Sequence, residues 1–153
     1  MALFLRAILK RERNSLLRYS MEPLQEDSRK LSLLYVEDEP IARENLHRVI
    51  SIKFPSITVY TAENGKTGLD LFKKFSPDIV LTDISLPVLD GIRMATAMWA
   101  LNPYTEIIIL SSHNKTHYES DCAKIGIKHY LQKPIFHEVL VRTIEDSVAR
   151  LIQ

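Results

Sequence analysis

The sequence predicts an α/β domain with a doubly wound, five-stranded parallel sheet of order 2-1-3-4-5. The first observation behind this is a set of strand-length apolar runs: LSLLYV (31–36), SITVYT (56–61), DIVLTD (78–83), EIIILSS (106–112) and IKHYLQ (127–132). The second is what lies between and after them. Ile41, Leu46, Val49 and Ile50 have helical spacing, as do Leu69, Leu71, Phe72 and Phe75, and then Ile92, Ala95, Met98 and Trp99. A weaker pattern runs through Tyr118, Cys122 and Ile125, and a strong one through Val139, Leu140, Thr143, Ile144, Val148 and Leu151. Strand alternating with helix at this interval implies right-handed βαβ units and a parallel sheet. The third observation concerns order. The first, third and fourth runs are almost continuously apolar, as in strands covered on both faces. The second alternates, and the fifth carries Lys128, His129 and Gln132, so these two read as edges. The order 2-1-3-4-5 places them there, with the switch point between the first and third strands at their C-terminal ends.

Composition agrees with one ordinary domain. The chain has 153 residues, of which 46% are hydrophobic and 25% charged. At that length folding buries about 70% of the unfolded surface, so a core is available. The lone Cys122 cannot form an internal disulfide. A net charge of +1 gives no overall basic field for nucleic acid. No apolar run approaches the roughly 18 residues of a membrane span. A soluble, cytoplasmic protein is the expectation. Residues 1–29 stand apart: Arg6, Lys10, Arg11, Arg13 and Arg18 oppose only Glu12 over residues 1–20, and the following segment is polar like a linker. Leu5, Ile8, Leu9, Leu16 and Tyr19 share one helical face, so residues 3–19 can form an amphipathic helix that meets a partner, a second copy or an anionic membrane surface.

The chemistry gathers where the predicted strands end. Glu37, Asp38 and Glu39 follow the first strand, ahead of Pro40, and Asp83 closes the third. Glu39 is explained as a helix N-terminal acid beside a proline at the first turn. Asp83, at the end of a buried strand, is not explained that way. Glu37, Asp38 and Asp83 would converge, and carboxylates so close raise one another's pKa. A hard divalent cation such as Mg2+ relieves this, because it takes one or two carboxylates, waters and a phosphate oxygen. Ser111 and Ser112 end the fourth strand and Lys133-Pro134 follows the fifth, which adds a hydroxyl and an ammonium at the same edge. Metal-binding acids, a nucleophilic Asp and two groups for anionic oxygens point to phosphoryl chemistry through an aspartyl phosphate.

From Leu31 to Leu151 the chain resembles the receiver domain of two-component response regulators. The resemblance rests on LLYVEDEP, TAENGKTGLDLF, PDIVLTDISLPVLDG, IIILSSH and GIKHYLQKPI, in that order. It implies a flavodoxin-like receiver over residues 30–153, preceded by the extension 1–29. It further implies that Asp83 is the phosphoacceptor. Mg2+ (or Mn2+) would be held by Asp38, by Glu37 through water, by Asp83 and by the backbone carbonyl of Ser85. Lys133 would pair with the phosphoryl group, next to a Lys133-Pro134 bond that is cis in relatives. Ser111 would be the switch hydroxyl and Tyr130 the switch aromatic. Pro87, Asp90 and Gly91 fit the loop after the phosphoacceptor. Ser85 and His113 would border the path of the hydrolytic water and tune dephosphorylation. Glu37 for Asp, Ser111 for Thr, Ser112 for a smaller residue and Ile127 for Ala are departures that remove no catalytic group.

The implied function is a phosphorylation-dependent switch. A histidine kinase or histidine phosphotransfer protein donates the phosphoryl group, the domain supplies the geometry for its own phosphorylation and dephosphorylation, and a downstream protein target reads the change of shape. Direct nucleic-acid binding is not expected, and dimerisation is left open. The chain ends just after the fifth helix, so the expectation is a stand-alone receiver or a fragment of a larger hybrid kinase or regulator, with a phosphorylation-independent docking domain as the alternative. A haloacid-dehalogenase-type phosphatase would need a second Asp where Ser85 stands, and the acids after the first strand would repel a flavin phosphate. His113 and His117, four apart, lack an evident third metal ligand. Asn64-Gly65 reads as a helix start, and Cys122 as a small, partly buried helix residue.

Overall fold

The computed structural model describes residues 29–112, 119–127 and 129–153. Residues 3–19 and His113, His117 and Tyr118 lie outside that set. Residues 31–153 form one compact unit. Its elements are β1 (Ser32–Val36), α1 (Pro40–Lys53), β2 (Thr58–Ala62), α2 (Gly65–Phe75), β3 (Ile79–Asp83), α3 (Gly91–Leu101), β4 (Glu106–Ser111), α4 (Glu119–Lys124), β5 (His129–Gln132) and α5 (His137–Leu151). All strand pairs are parallel and the order is β2-β1-β3-β4-β5, as the alternation and edge patterns predict.

The pleat divides each strand between two apolar layers. Leu34, Val36, Val80, Ile107 and Ile109 face one layer with Phe72 of α2, Met94, Ala95 and Met98 of α3 and Cys122 of α4. Leu33, Tyr35, Ile79, Leu81, Ile108 and Leu110 face the other, with Ile50 of α1 and Leu140 and Ile144 of α5. Two core faces explain why the central strands read as unbroken apolar runs. The edge strand β2 keeps both faces too: Ile57 and Val59 pack on the second layer, Tyr60 on the first. Tyr60 also stacks on Phe75 at 4.3 Å.

Helix starts follow from side-chain caps. Both carboxylate oxygens of Glu39 accept from the α1 amides of Ile41 and Ala42, with Pro40 in the first turn. Asn64 Oδ1 accepts from Thr67 N at the start of α2, and Asp90 Oδ1 from Arg93 N at the start of α3. The helical patterns overstate burial at their flanks. Ile41 and Val139 are exposed, and Phe75 and Trp99 are only partly covered, because a stripe wider than the packed seam runs out into solvent. Cys122 is fully in the core rather than partly buried.

Two glycines let loops close on the sheet mouth. A Cβ on Gly91 would sit 2.0 Å from the carbonyl oxygen of Asp83, and one on Gly65 would sit 1.9 Å from that of Leu89. Between these contacts, Leu89 N donates to Pro87 O around Val88, whose φ is 70°. That is a three-residue γ-turn in its strained form, with a β-branched, exposed residue at the centre.

Candidate functional site

The five strand ends converge, and the register brings the chemistry with them. Val36 is the last residue of β1, and the amide of Glu37 donates across to Ala62 O of β2 at 3.0 Å. This last sheet-like bond turns the Glu37 side chain into the mouth, where the residue is 4% exposed. Asp83 ends β3 beside it. Lys133 is drawn in by its own amide, which donates to Ser111 O at 2.7 Å, one step beyond the Ser111–Gln132 pair of β4 and β5. The Lys133-Pro134 bond is cis.

The side chains then meet. Lys133 Nζ lies 2.7 Å from Asp83 Oδ2 and 3.4 Å from Glu37 Oε1. One oxygen from each of Glu37, Asp38 and Asp83 falls within 4.8 Å of the others. Two of these three carboxylates, Glu37 and Asp83, thus share one ammonium at close range. The amide of Ser85 faces Asp83 Oδ1 at 3.4 Å, and the Thr82 hydroxyl donates to Asp83 O at 2.9 Å. Ser111 is wholly buried at the end of β4. Tyr130 is partly buried against the first core layer.

Electrostatics follow from this crowding. Burial pushes the Glu37 carboxyl above the usual range, and the charges of Asp83 and Asp38 push the same way against the pull of Lys133. Burial would lower Lys133, but its bond to Asp83 and the charges of Asp83 and Glu37 outweigh that and raise it. The Tyr35 phenol, buried under the cluster, is driven up by burial first and then by Glu37 and Asp83. It opens onto a cavity of about 270 Å³ also lined by Asn45, Lys133 and His137.

The donor set fits a hard divalent cation. All candidate side-chain donors are carboxylate oxygens, and Glu37 Oε2 is buried with no hydrogen-bond partner. A buried anionic oxygen left without a donor is costly unless a cation or its water serves it.

Sequence comparison settles the family. The family model for the response regulator receiver domain matches residues 33–145. The chain belongs to the response regulator receiver family. Among solved structures, this receiver is similar to the N-terminal domain of a Wolinella succinogenes protein. The TM-score is 0.73 and the identity 34%, over 80% of this chain and 97% of that one. A receiver domain from Clostridium thermocellum gives a TM-score of 0.73 and 27% identity, over 80% and 99%. The positive alginate biosynthesis regulatory protein of Pseudomonas aeruginosa is 30% identical over 76% of the receiver chain and 47% of its own. The transcriptional regulatory protein YesN of Bacillus subtilis is 28% identical, over 78% and 33%. The chain spans between a third and about half of the length of the first curated relatives it matches.

Of the residues singled out in the sequence, Glu37, Asp38, Asp83 and Lys133 come together at one point, with Ser85 alongside. Ser111 joins them through the backbone of Lys133. Tyr130 stands apart on β5, three residues before the lysine. His113 lies outside the described residues. Sequence reasoning passed over Arg43, whose guanidinium Nη1 donates to Glu37 O at 2.8 Å and contacts Asp38 O at 3.4 Å. The available signal was a cation in the first turn of the helix that follows the acid pair. It also passed over Asp78, which ties the opposite ends of the strands.

Proposed function

We propose that this receiver accepts a phosphoryl group on Asp83 and signals through the change of shape that follows. The observation that carries the reading is the 2.7 Å contact of Lys133 with Asp83 inside a cluster of three carboxylates. Glu37, Asp38 and Asp83, with the Ser85 carbonyl, would hold Mg2+ or Mn2+. Bound there, the cation supplies charge neutralisation for the anionic oxygens in transfer. The rest is done by this chain's own groups. An Asp83 carboxylate oxygen attacks the phosphorus of the donor. The new O–P bond forms as the bond from phosphorus to the donor atom breaks, and that electron pair leaves with the donor. In a histidine kinase or histidine phosphotransfer protein the donor atom is an imidazole nitrogen. Lys133 begins the reaction on Asp83 and remains beside the incoming oxygens, so it offsets charge without having to be recruited.

The Asp83 carboxylate gives up its own charge to the new O–P bond, so the product adds about one further negative charge, with new acceptor oxygens, beside Lys133. Ser111 and Lys133 share a backbone hydrogen bond, so a shift of either is transmitted to β5 and hence to Tyr130. Tyr130 is half-buried on the core and has room to change its burial; a target protein would read that surface. Ser85 and, from the sequence, His113 would set the access of water and so the lifetime of the acyl phosphate. No described helix is long and apolar enough to cross a membrane.

The test is incubation of the full chain with acetyl phosphate and Mg2+, read by intact mass. The expected result is a gain of one phosphoryl group that requires the metal and is absent from Asp83→Asn. An equal gain in Asp83→Asn would remove the assignment. Asp38→Ala should lose metal binding and labelling together.

A further inference from the structure

The acid pair Glu37-Asp38 sits beyond the last strand residue, where the sheet no longer fixes the backbone. One strand-type bond remains, from Glu37 N to Ala62 O. The carbonyls of Glu37 and Asp38 reach no backbone donor among the described bonds outside helices and strands. Both are instead met by one side chain. Arg43, half-buried in the first turn of α1, folds back and places Nη1 2.8 Å from Glu37 O and 3.4 Å from Asp38 O. Its own amide donates to Glu39 O at 2.9 Å, and Glu39 caps the helix. Arg43 therefore holds three consecutive residues of the loop, two by its side chain and one by its backbone.

We propose that Arg43 is a positioning residue for the cation site: it fixes the peptide planes of Glu37 and Asp38 so that their carboxylates are preset for the metal. This rests on the reading of the acid cluster as a divalent cation site. Repulsion among three carboxylates favours any backbone rotation that carries them apart. A planar guanidinium bound to two successive carbonyls resists that rotation, because turning either peptide breaks a charge-assisted hydrogen bond. Among the described residues, the hydrogen bonds of the Arg43 side chain go to backbone carbonyls and not to Asp83 or another carboxylate. Its effect is geometric and reaches the chemistry only through the metal.

The predicted signature is a loss of cation affinity with the chemical step retained. Arg43→Ala should bind Mg2+ about tenfold more weakly in calorimetric titration of the unphosphorylated chain. Its rate of labelling by acetyl phosphate should return to within about twofold of wild type at saturating Mg2+. Arg43→Lys keeps a donor for Glu37 O and should recover part of the affinity; Arg43→Met keeps the stem alone and should recover none. Circular dichroism and a denaturation curve on each variant establish that the folded protein is being titrated. Unchanged Mg2+ affinity in folded Arg43→Ala would overturn the proposal. So would a labelling rate that stays low at saturating metal, since Arg43 would then act on the transfer itself. Normal Mg2+ affinity and acetyl-phosphate labelling, with loss only of transfer from a phosphohistidine protein, would make Arg43 a partner contact and overturn it as well. If wild type itself neither binds Mg2+ nor gains phosphate, the fault lies with the reading of the site and not with Arg43.

Discussion

The two ends of the sheet handle charge in opposite ways. At the C-terminal ends of the strands, Glu37, Asp38 and Asp83 are packed together with Lys133 as the close cation, and Glu37 Oε2 is buried without a partner. At the N-terminal ends the acids at the strand starts are answered. Asp78 Oδ2 accepts from Ser32 N, the Asp78 backbone bonds both Ser32 and Glu106, and Arg150 of α5 joins Glu106 and His129 at the starts of β4 and β5. One end is cross-linked by complementary groups. The other is left short of satisfaction, with a carboxylate oxygen that no described donor reaches. The same residue type, at either end of one strand, meets a backbone amide at Asp78 and an ammonium with two more carboxylates at Asp83, and the difference lies in what surrounds it.

The sharpest way to break this contrast is to exchange the consequences. Asp83→Asn should lose phosphoryl uptake by at least about 100-fold, or roughly 2.7 kcal/mol in barrier, while keeping its fold; retained labelling in the mass assay would show that the nucleophile lies elsewhere. Asp78→Ala should do the reverse. It leaves the Ser32 amide without its carboxylate and should cost about 2–3 kcal/mol in urea unfolding, with labelling by acetyl phosphate unchanged in the folded fraction. A labelling defect there would mean that the two ends are not separable.

Glu37→Gln sharpens the comparison through pH. The folded-state pKa of Glu37 lies above its unfolded value, so its ionised form opposes folding. That cost is absent below the ordinary carboxylate range, grows as pH rises toward the raised folded value, and is full above it. With chelator present, Glu37→Gln should therefore be more stable than wild type at neutral pH, by about 1 kcal/mol. The gap should close as pH falls through that window. A gap that widens on acidification would reverse the assignment of sign. The smallest expected effect is at Val88, where the loop beside the site holds a β-branched residue at φ 70°. Val88→Gly should stabilise the protein by about 0.5–1 kcal/mol in thermal unfolding; a loss of stability would show that the side chain supports the turn.

Most of the fold is legible in the sequence because two apolar layers demand it. The central runs at β1, β3 and β4 have no polar face to spare, and Glu39 beside Pro40 and Asn64 beside Gly65 mark the starts of their helices. The site was legible for a related reason. Carboxylates at the ends of buried strands have no structural use that composition suggests, so Glu37, Asp38, Asp83 and Lys133 stand out once the strands are placed. Arg43 and Asp78 were not legible because their partners are backbone atoms, and a hydrogen bond to a carbonyl or an amide leaves no trace in the identity of the partner. The exposure of Ile41 and Val139 was hidden because helical spacing gives the direction of a stripe and not its width.

The contact between Gly91 and the Asp83 carbonyl reaches further than the loop it closes. Because no atom fits between them, the first turn of α3 is seated directly on the backbone of Asp83. Beyond that seat α3 runs as an 11-residue rod, about 16 Å long, with Met94, Ala95 and Met98 wholly enclosed. A push at its head has little soft material in which to dissipate. Near its foot is Trp99, the chain's single tryptophan, whose indole lies so close to Gly126 that a Cβ there would come within 2.8 Å of Nε1. The protein thus carries an intrinsic optical gauge at the far end of a strut that starts on Asp83, and its emission reports on α3 without any label.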